Sequence, residues 1–88
     1  MEIKGKIINK EERINKKNKY YTSQYFKLTL MTEYGNLLMF YGMNDVNKVG
    51  YMPKVSHTLL IDGNIFKSND SMYEGVIKNI TKIQHITV

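Results

Sequence analysis

The sequence predicts an all-β fold, a small closed barrel of four or five strands with one short helix between strands three and four. Three observations predict it: abundant β-branched and aromatic residues, only one proline and six glycines among the 88 residues, and alternating apolar and polar side chains over several segments. Closure removes the exposed edges that an isolated sheet of this size would present. The whole chain, residues 1–88, is expected to form this one domain.

The first half of the chain predicts three strands. A first strand covers residues 2–9, and the polar residues 9–18 follow as a long loop or flexible hairpin. A second strand covers residues 21–32, where apolar and polar residues alternate. Tyr34-Gly35-Asn36 predicts a turn, and a third strand, residues 37–42, completes a hairpin with the second. Alternation in the first strand puts Ile3, Gly5 and Ile7 on one face and Lys4, Lys6 and Ile8 on the other.

A helical turn is predicted after the third strand. Asn44 or Asp45 can cap residues 46–49, because a side-chain oxygen there accepts from the free N–H groups of the first turn. Gly50 would end the turn, since glycine is the usual residue after a helix.

Two further strands complete the predicted barrel. The fourth covers residues 56–66, and Gly63 inside it indicates a bulge or a sharp bend. The fifth covers residues 72–86 and contains isoleucines at every third position from Ile77. That spacing does not match a regular strand, so we expect an irregularity at Lys78-Asn79.

The composition excludes several classes of protein. There are no cysteines, which excludes disulfides, thiolate metal sites and a cysteine nucleophile. The longest apolar run, Leu37–Tyr41, has five residues, against about 20 for a spanning helix, and the N-terminal residues include no apolar stretch of signal-peptide length. His57 and His85 are far apart and no phosphate loop or paired-acid motif occurs, so we expect no enzyme, metal or cofactor. The protein is expected in the cytoplasm, its own cell's or a host cell's.

The charge predicts a polyanionic partner. Thirteen Lys and Arg against eight Asp and Glu give a net charge of +5, and the basic residues are densest over residues 10–19. Two simpler explanations stand beside this one. An AT-rich genome also enriches lysine, and a lysine-rich loop can be a solvated surface and nothing more.

Five segments follow one another in a characteristic order: Glu2–Ile8, Phe26–Leu30, Leu38–Gly42, Val49-Gly50 with Leu59–Ile65, and Tyr73–Ile80. Their order and spacing resemble the strands of the OB-fold single-stranded DNA-binding proteins. The resemblance covers most of the chain, and it implies a five-stranded OB-fold barrel that binds single-stranded DNA without catalysis, in replication or recombination.

The resemblance also implies site residues and a type of protein. Members of the group stack bases on an aromatic residue just past strand two and on another before the strand-three glycine, which correspond here to Tyr34 and Tyr41. The loop after strand four is short, and Val88 ends the chain without the linker and acidic tip of the bacterial proteins. These departures indicate a phage, plasmid or other mobile-element protein.

Single-strand binding requires cations for the phosphates and flat rings on which bases stack. The predicted alternation puts Phe26 and Phe40 in the core and leaves tyrosines on the outer face of the second and third strands. Packing alone explains any one of these tyrosines as well as binding does, but the group with its lysines favours a DNA or RNA interface. The candidate residues are Lys16, Lys17, Lys19, Tyr20, Tyr21, Tyr25, Lys27, Tyr34, Tyr41, Lys67 and Tyr73.

A docking function is the alternative. A small barrel can serve as an accessory subunit on a replication or recombination enzyme such as a polymerase, primase, helicase or recombinase, and it can pair with a second copy of itself. Methionine and tyrosine are common at interfaces. The apolar set expected at such a surface is Leu37, Met39, Met43, Tyr51 and Met52. Steep salt dependence would separate nucleic-acid binding from apolar docking.

Overall fold

The computed structural model describes the backbone of residues 1–18 and 21–86 and the side chains of residues 1–14 and 24–86. Five strands close into a barrel in the order β1-β2-β3-β5-β4, with one short helix between β3 and β4. This is the predicted architecture. The elements are β1 (Glu2–Asn18), β2 (Tyr21–Thr32), β3 (Gly35–Gly42), α1 (Met43–Val49), β4 (Thr58–Phe66) and β5 (Gly75–Ile86).

The barrel closes where β3 and β5 run in parallel. Their pairing joins Leu37 to Gly75 and Leu38 to Val76, and every other pairing in the barrel is antiparallel. A Cβ atom on Gly75 would lie 2.8 Å from Cγ2 of Ile65, closer than such atoms approach in proteins. Glycine is therefore needed here so that β5 can approach β4 and β3 together.

The core consists of the inward-facing side chains of all five strands. β2 alternates as predicted, with Phe26, Leu28 and Leu30 inside, and the first part of β1 also follows its prediction. Burial of large aliphatic side chains is worth about 1.5–3 kcal/mol each, so this layer stabilises the closed barrel. The buried apolar residues are Ile3, Ile7, Phe26, Leu28, Leu30, Leu37, Leu38, Met39, Tyr41, Leu59, Ile61 and Ile77.

β1 continues nine residues beyond its predicted end at Asn9. The polar residues expected to form a long loop or a flexible hairpin pair with β2, from Asn9 opposite Thr29 to Asn18 opposite Tyr21, so they form a hairpin. Ile8 falls at a register shift, after which Lys10 lies opposite the inward-facing Leu28. The polar composition misled the prediction because most of this segment pairs beyond the barrel core, where no apolar face is needed.

The helix begins three residues earlier than predicted. Its N-cap is Gly42, and the Asp45 carboxylate accepts a hydrogen bond of 2.8 Å from the Gly42 N–H. Asp45 therefore satisfies a donor at the helix start from inside the first turn. Gly50 ends the helix in a left-handed conformation, as predicted, with φ of 73°. Within the described ranges, no helix has the length and apolar character needed to cross a membrane.

The irregularity predicted in the last two strands is confirmed. Gly63 lies at a register shift between β4 and β5, because Asp62 pairs with Lys82 while Asn64 pairs with Lys78. The three residues after Lys78 therefore face a single residue on β4. Asn79 adopts a positive φ of 55°, which asparagine tolerates better than most residues.

The faces of β3 are the reverse of those predicted. Tyr41, expected on the outer face as a base-stacking residue, is completely buried, and Phe40, expected in the core, is 49% exposed. The cause is the turn between β2 and β3. It contains two residues, so Thr32 pairs with Gly35, and Phe26 therefore pairs with Tyr41.

A three-residue turn over residues 34–36 would have placed Phe40 opposite Leu30 and turned every side chain of β3 to the other face. Side chains alternate with a period of two, so a change of one residue in the turn inverts the strand. The run from Leu37 to Tyr41 is apolar throughout, and it carries no alternation that could reveal which face is buried.

The buried Tyr41 ring ties the barrel to the segment that follows it. Its hydroxyl donates to the backbone carbonyl of Tyr51 at 2.9 Å and lies 3.3 Å from that of Asp45. One polar atom in the core thus holds both the helix and the chain after it. At the same end, Nζ of Lys10 lies 4.7 Å from the centre of the Phe26 ring and donates to the carbonyl of Pro53 at 2.8 Å.

Alanine substitutions test the inverted faces. Tyr41→Ala is expected to lower the free energy of unfolding by about 3–5 kcal/mol, because it leaves a cavity in the core. Phe40→Ala should cost only about 1 kcal/mol, since the ring is half exposed and loses chiefly one aromatic neighbour. Urea denaturation followed by circular dichroism measures both. Equal losses, or a larger loss for Phe40→Ala, would show that the faces are assigned wrongly.

Tyr41→Phe tests the buried hydroxyl. At pH 7 the variant should lose about 0.5–1.5 kcal/mol of unfolding free energy with its hydrogen bond. Burial, and to a lesser degree the charge of Asp45, raises the pKa of Tyr41 to about 12 from the ordinary 10 of an unfolded chain. The wild-type protein therefore keeps this contribution below about pH 10 and loses it as the pH rises towards 12.

The stability difference between wild type and Tyr41→Phe should accordingly shrink between pH 10 and pH 12. Urea denaturation of both proteins at pH 7, 10 and 11 measures that difference. Because the other tyrosines and lysines are shared by the two proteins, their titration cancels. A difference that stays constant or grows with pH would contradict the buried, un-ionised hydroxyl.

Candidate nucleic-acid interface

Two aromatic rings meet on the outer face of β2 and β3: Phe40 is exposed and Tyr25 is partly buried. Phe40 of β3 is directly opposite Lys27 of β2, and Tyr25 of β2 is opposite Gly42. The Tyr25 and Phe40 rings meet edge to face, with centroids 5.8 Å apart and planes at 66°. The contact with Tyr25 orients the Phe40 ring, and much of that ring stays free to contact another molecule.

The loop between β4 and β5 adds a third ring. Nζ of Lys27 lies 5.5 Å from the centre of the Tyr73 ring, within the range of a cation–π contact. The Glu74 N–H donates to the Asn36 carbonyl at 2.8 Å, which attaches the end of this loop to β3. Tyr25, Lys27, Phe40 and Tyr73 together are called the aromatic surface below.

The charges beside the aromatic surface are mixed. Arg13 of β1 is opposite Tyr25, and its Nη2 atom donates to Oε2 of Glu11 at 2.9 Å. Glu11 is itself opposite Lys27. Two cations and one carboxylate leave a local charge of about +1, and exposed pairs such as Arg13–Glu11 are weak enough for a phosphate to replace the carboxylate.

Three of the predicted site residues come together, and three others, Tyr41, Lys67 and Tyr34, do not. Tyr25, Lys27 and Tyr73 form the aromatic surface with Phe40. The prediction that a base stacks on Tyr41 is wrong, because the Tyr41 ring is buried in the core. Lys67 is exposed just after β4, at the other end of the loop from Tyr73.

Tyr34 lies at the opposite end of the β2–β3 hairpin. It is exposed in the two-residue turn, where its N–H donates to Oγ1 of Thr32. Seven residues of β2 separate this turn from Tyr25, a distance of roughly 23 Å at about 3.3 Å per residue. The Glu33 carboxylate raises the pKa of Tyr34 by a hydrogen bond and by its charge, so an acidic group stands beside this ring.

The remaining predicted residues lie in the basic segment, residues 10–19, or directly after it. The backbones of Lys16, Lys17 and Tyr21 belong to β1 and β2, but their side chains lie outside the described residues. Lys19 and Tyr20 lie outside the described residues altogether. Their part in binding therefore stays a prediction.

The sequence reasoning missed Phe40 and Arg13. Phe40 was assigned to the core from the alternation expected of the third strand, although residues 37–41 are all apolar and show no alternation. Gly35 at the start of β3, with φ of 98°, is the available signal for the shorter turn. Arg13 was counted within the basic segment, but nothing in a polar run indicates that a given residue faces Tyr25.

Three rings stack at another place on the barrel. His57 and His85, 28 residues apart in sequence, lie with centroids 4.7 Å apart, and Tyr51 lies 4.4 Å from His85. A hydrogen bond of 2.9 Å joins the Tyr51 hydroxyl to Nδ1 of His57, and burial raises the pKa of Tyr51. The two imidazole planes differ by only 17°, so one ion cannot lie in both planes at bonding distance.

The apolar set expected for protein docking is not a continuous surface. Leu37 and Met39 are fully buried, and Met43 and Tyr51 pack against the core. Of the five residues, Met52 alone is exposed. The two buried residues follow from the same inversion of β3 that moved Tyr41 inside.

Neither a metal-ligand cluster nor a match to a known protein points to a function. In the part of the chain that the structure describes, no three His, Asp or Glu side chains come close enough to hold a metal ion. No protein-family model, curated protein or solved structure matches the chain. A proposal about function therefore depends on the geometry and chemistry of the chain's own residues.

Proposed function

We propose that this protein binds single-stranded nucleic acid, DNA above all, without catalysis, and that bases stack on the aromatic surface. The observation that carries the proposal is the exposed Phe40 ring, held edge-on by Tyr25 and flanked by Lys27. Single-stranded DNA, which is exposed during replication and recombination, is a ligand that these rings and this lysine can bind.

Stacking supplies the affinity in this proposal. A base on an aromatic ring contributes about 1–3 kcal/mol, whatever the base, because every base has a π face. Phe40 is suited to this contact because it projects from a strand instead of a mobile loop. In a duplex the bases already stack on one another and present only their edges, so a single strand should bind better.

Lysine–phosphate contacts supply the remaining affinity. Lys27 lies between Phe40 and Tyr73, and a phosphate next to a stacked base would reach its ammonium group. The overall charge of +5 attracts a polyanion over a longer range. Each neutralised phosphate releases counterions, so the affinity should fall as salt rises.

A binding assay with two variants tests the stacking contact. Fluorescence anisotropy with a labelled 30-nucleotide single strand and its duplex, at two salt concentrations, should give tighter binding of the single strand and weaker binding at higher salt. Phe40→Leu retains an apolar side chain but removes the stacking face, so we expect about tenfold weaker binding. Tyr34→Leu, the matched control at the far end of the hairpin, should change affinity less than twofold.

Lysine variants test the phosphate contact. Lys27→Ala should weaken binding and lower the slope of log affinity against log salt by about one. Lys48→Ala removes the same charge from an exposed position on α1 and should leave that slope almost unchanged. No binding by the wild-type protein at low salt, or equal effects of Phe40→Leu and Tyr34→Leu, would contradict the proposal.

A further inference from the structure

A second cation–aromatic pair lies on β4 and β5. Phe66, the last residue of β4, is 43% exposed, and Nζ of Lys78 on β5 lies 5.7 Å from the centre of its ring. Phe66 pairs with Val76, which also pairs with Leu38 of β3. The pair therefore stands beside the point at which the barrel closes, next to the strand that carries Phe40.

Phe40 and Lys78 both follow the short parallel pairing of β3 with β5. That pairing joins Leu37 to Gly75 and Leu38 to Val76. Phe40 and Lys78 each come two residues after its last pair, in the same strand direction. Because Ile77 is buried and side chains alternate, Lys78 faces outward as Phe40 does.

Cations and rings therefore alternate across four neighbouring strands. Adjacent strands lie about 4.8 Å apart, so the strands of Phe40 and Phe66 are separated by roughly 10 Å. The order, from β2 through β3 and β5 to β4, is Lys27, Phe40, Lys78 and Phe66.

We propose that Phe66 and Lys78 form a second stacking subsite for the same single strand that occupies the aromatic surface. This inference rests on the proposed function. Single-strand binding uses successive rings for bases and cations between them for the phosphates, and the alternating row has that composition. Phe66 would stack a further base, and Lys78 would contact the phosphate between the two stacked bases.

The subsite predicts a dependence on the bases of the strand. Rings about 10 Å apart are within reach of two neighbouring nucleotides, so a twelve-nucleotide oligothymidine can occupy both of them, whereas an abasic strand of the same length has no base to stack. Phe66→Leu should therefore weaken binding of the oligothymidine about tenfold and change binding of the abasic strand less than twofold. Phe40→Leu should have the same pair of effects.

Lys78→Gln provides a second variant that does not alter the ring or the packing beneath it. It should lower the salt slope by about one for both strands, because the abasic strand carries the same phosphates. Lys82→Gln, also exposed on β5, is the matched control and should change neither slope. Circular dichroism and thermal denaturation establish that each variant is folded.

The outcomes separate this inference from the proposed function. If Phe40→Leu weakens binding but Phe66→Leu and Lys78→Gln leave binding of the oligothymidine unaffected, the second subsite is wrong and the proposed function stands. If Phe66→Leu weakens binding of both strands equally, Phe66 does not stack a base. If the wild-type protein binds neither strand, both proposals fail together.

Discussion

The burial of the Tyr41 ring is the constraint on which the rest of the structure depends. Its hydroxyl donates to the carbonyl of Tyr51, so the core holds the segment after α1 through a single polar atom. Because neighbouring side chains of a strand point to opposite faces, a buried Tyr41 requires an exposed Phe40. The register between β2 and β3 therefore determines both that Tyr41 is buried and that Phe40 lies on the outer face.

That register is set far from the site. The two-residue turn after Thr32 aligns Phe26 with Tyr41, and the alignment runs the length of the hairpin to Tyr25 and Phe40. The barrel closes at the first residues of β5, and the same closure carries Tyr73 to Lys27. The aromatic surface is therefore assembled by backbone pairing, and the edge-to-face contact between Tyr25 and Phe40 then orients these two rings.

The barrel itself could be predicted from the sequence, because β2 alternates regularly and Gly50 and Gly63 mark a helix end and a bulge. The faces of β3 could not, because Leu37 to Tyr41 are all apolar and only the length of the turn decides which are buried. The continuation of β1 was missed for the opposite reason: polar residues form a strand wherever the partner strand supplies the hydrogen bonds. For the candidate site, composition predicted rings and cations, but pairing determines which of them meet.

The most direct test of the account is a map of the contacts with a single strand. An NMR titration of the labelled protein with a twelve-nucleotide oligothymidine would follow the amide signal of each residue. The account predicts the largest shifts at Tyr25, Lys27, Phe40 and Tyr73, with little change in the turn that holds Tyr34. Shifts concentrated at that turn or at the Tyr51–His57–His85 stack, or none at all, would contradict it.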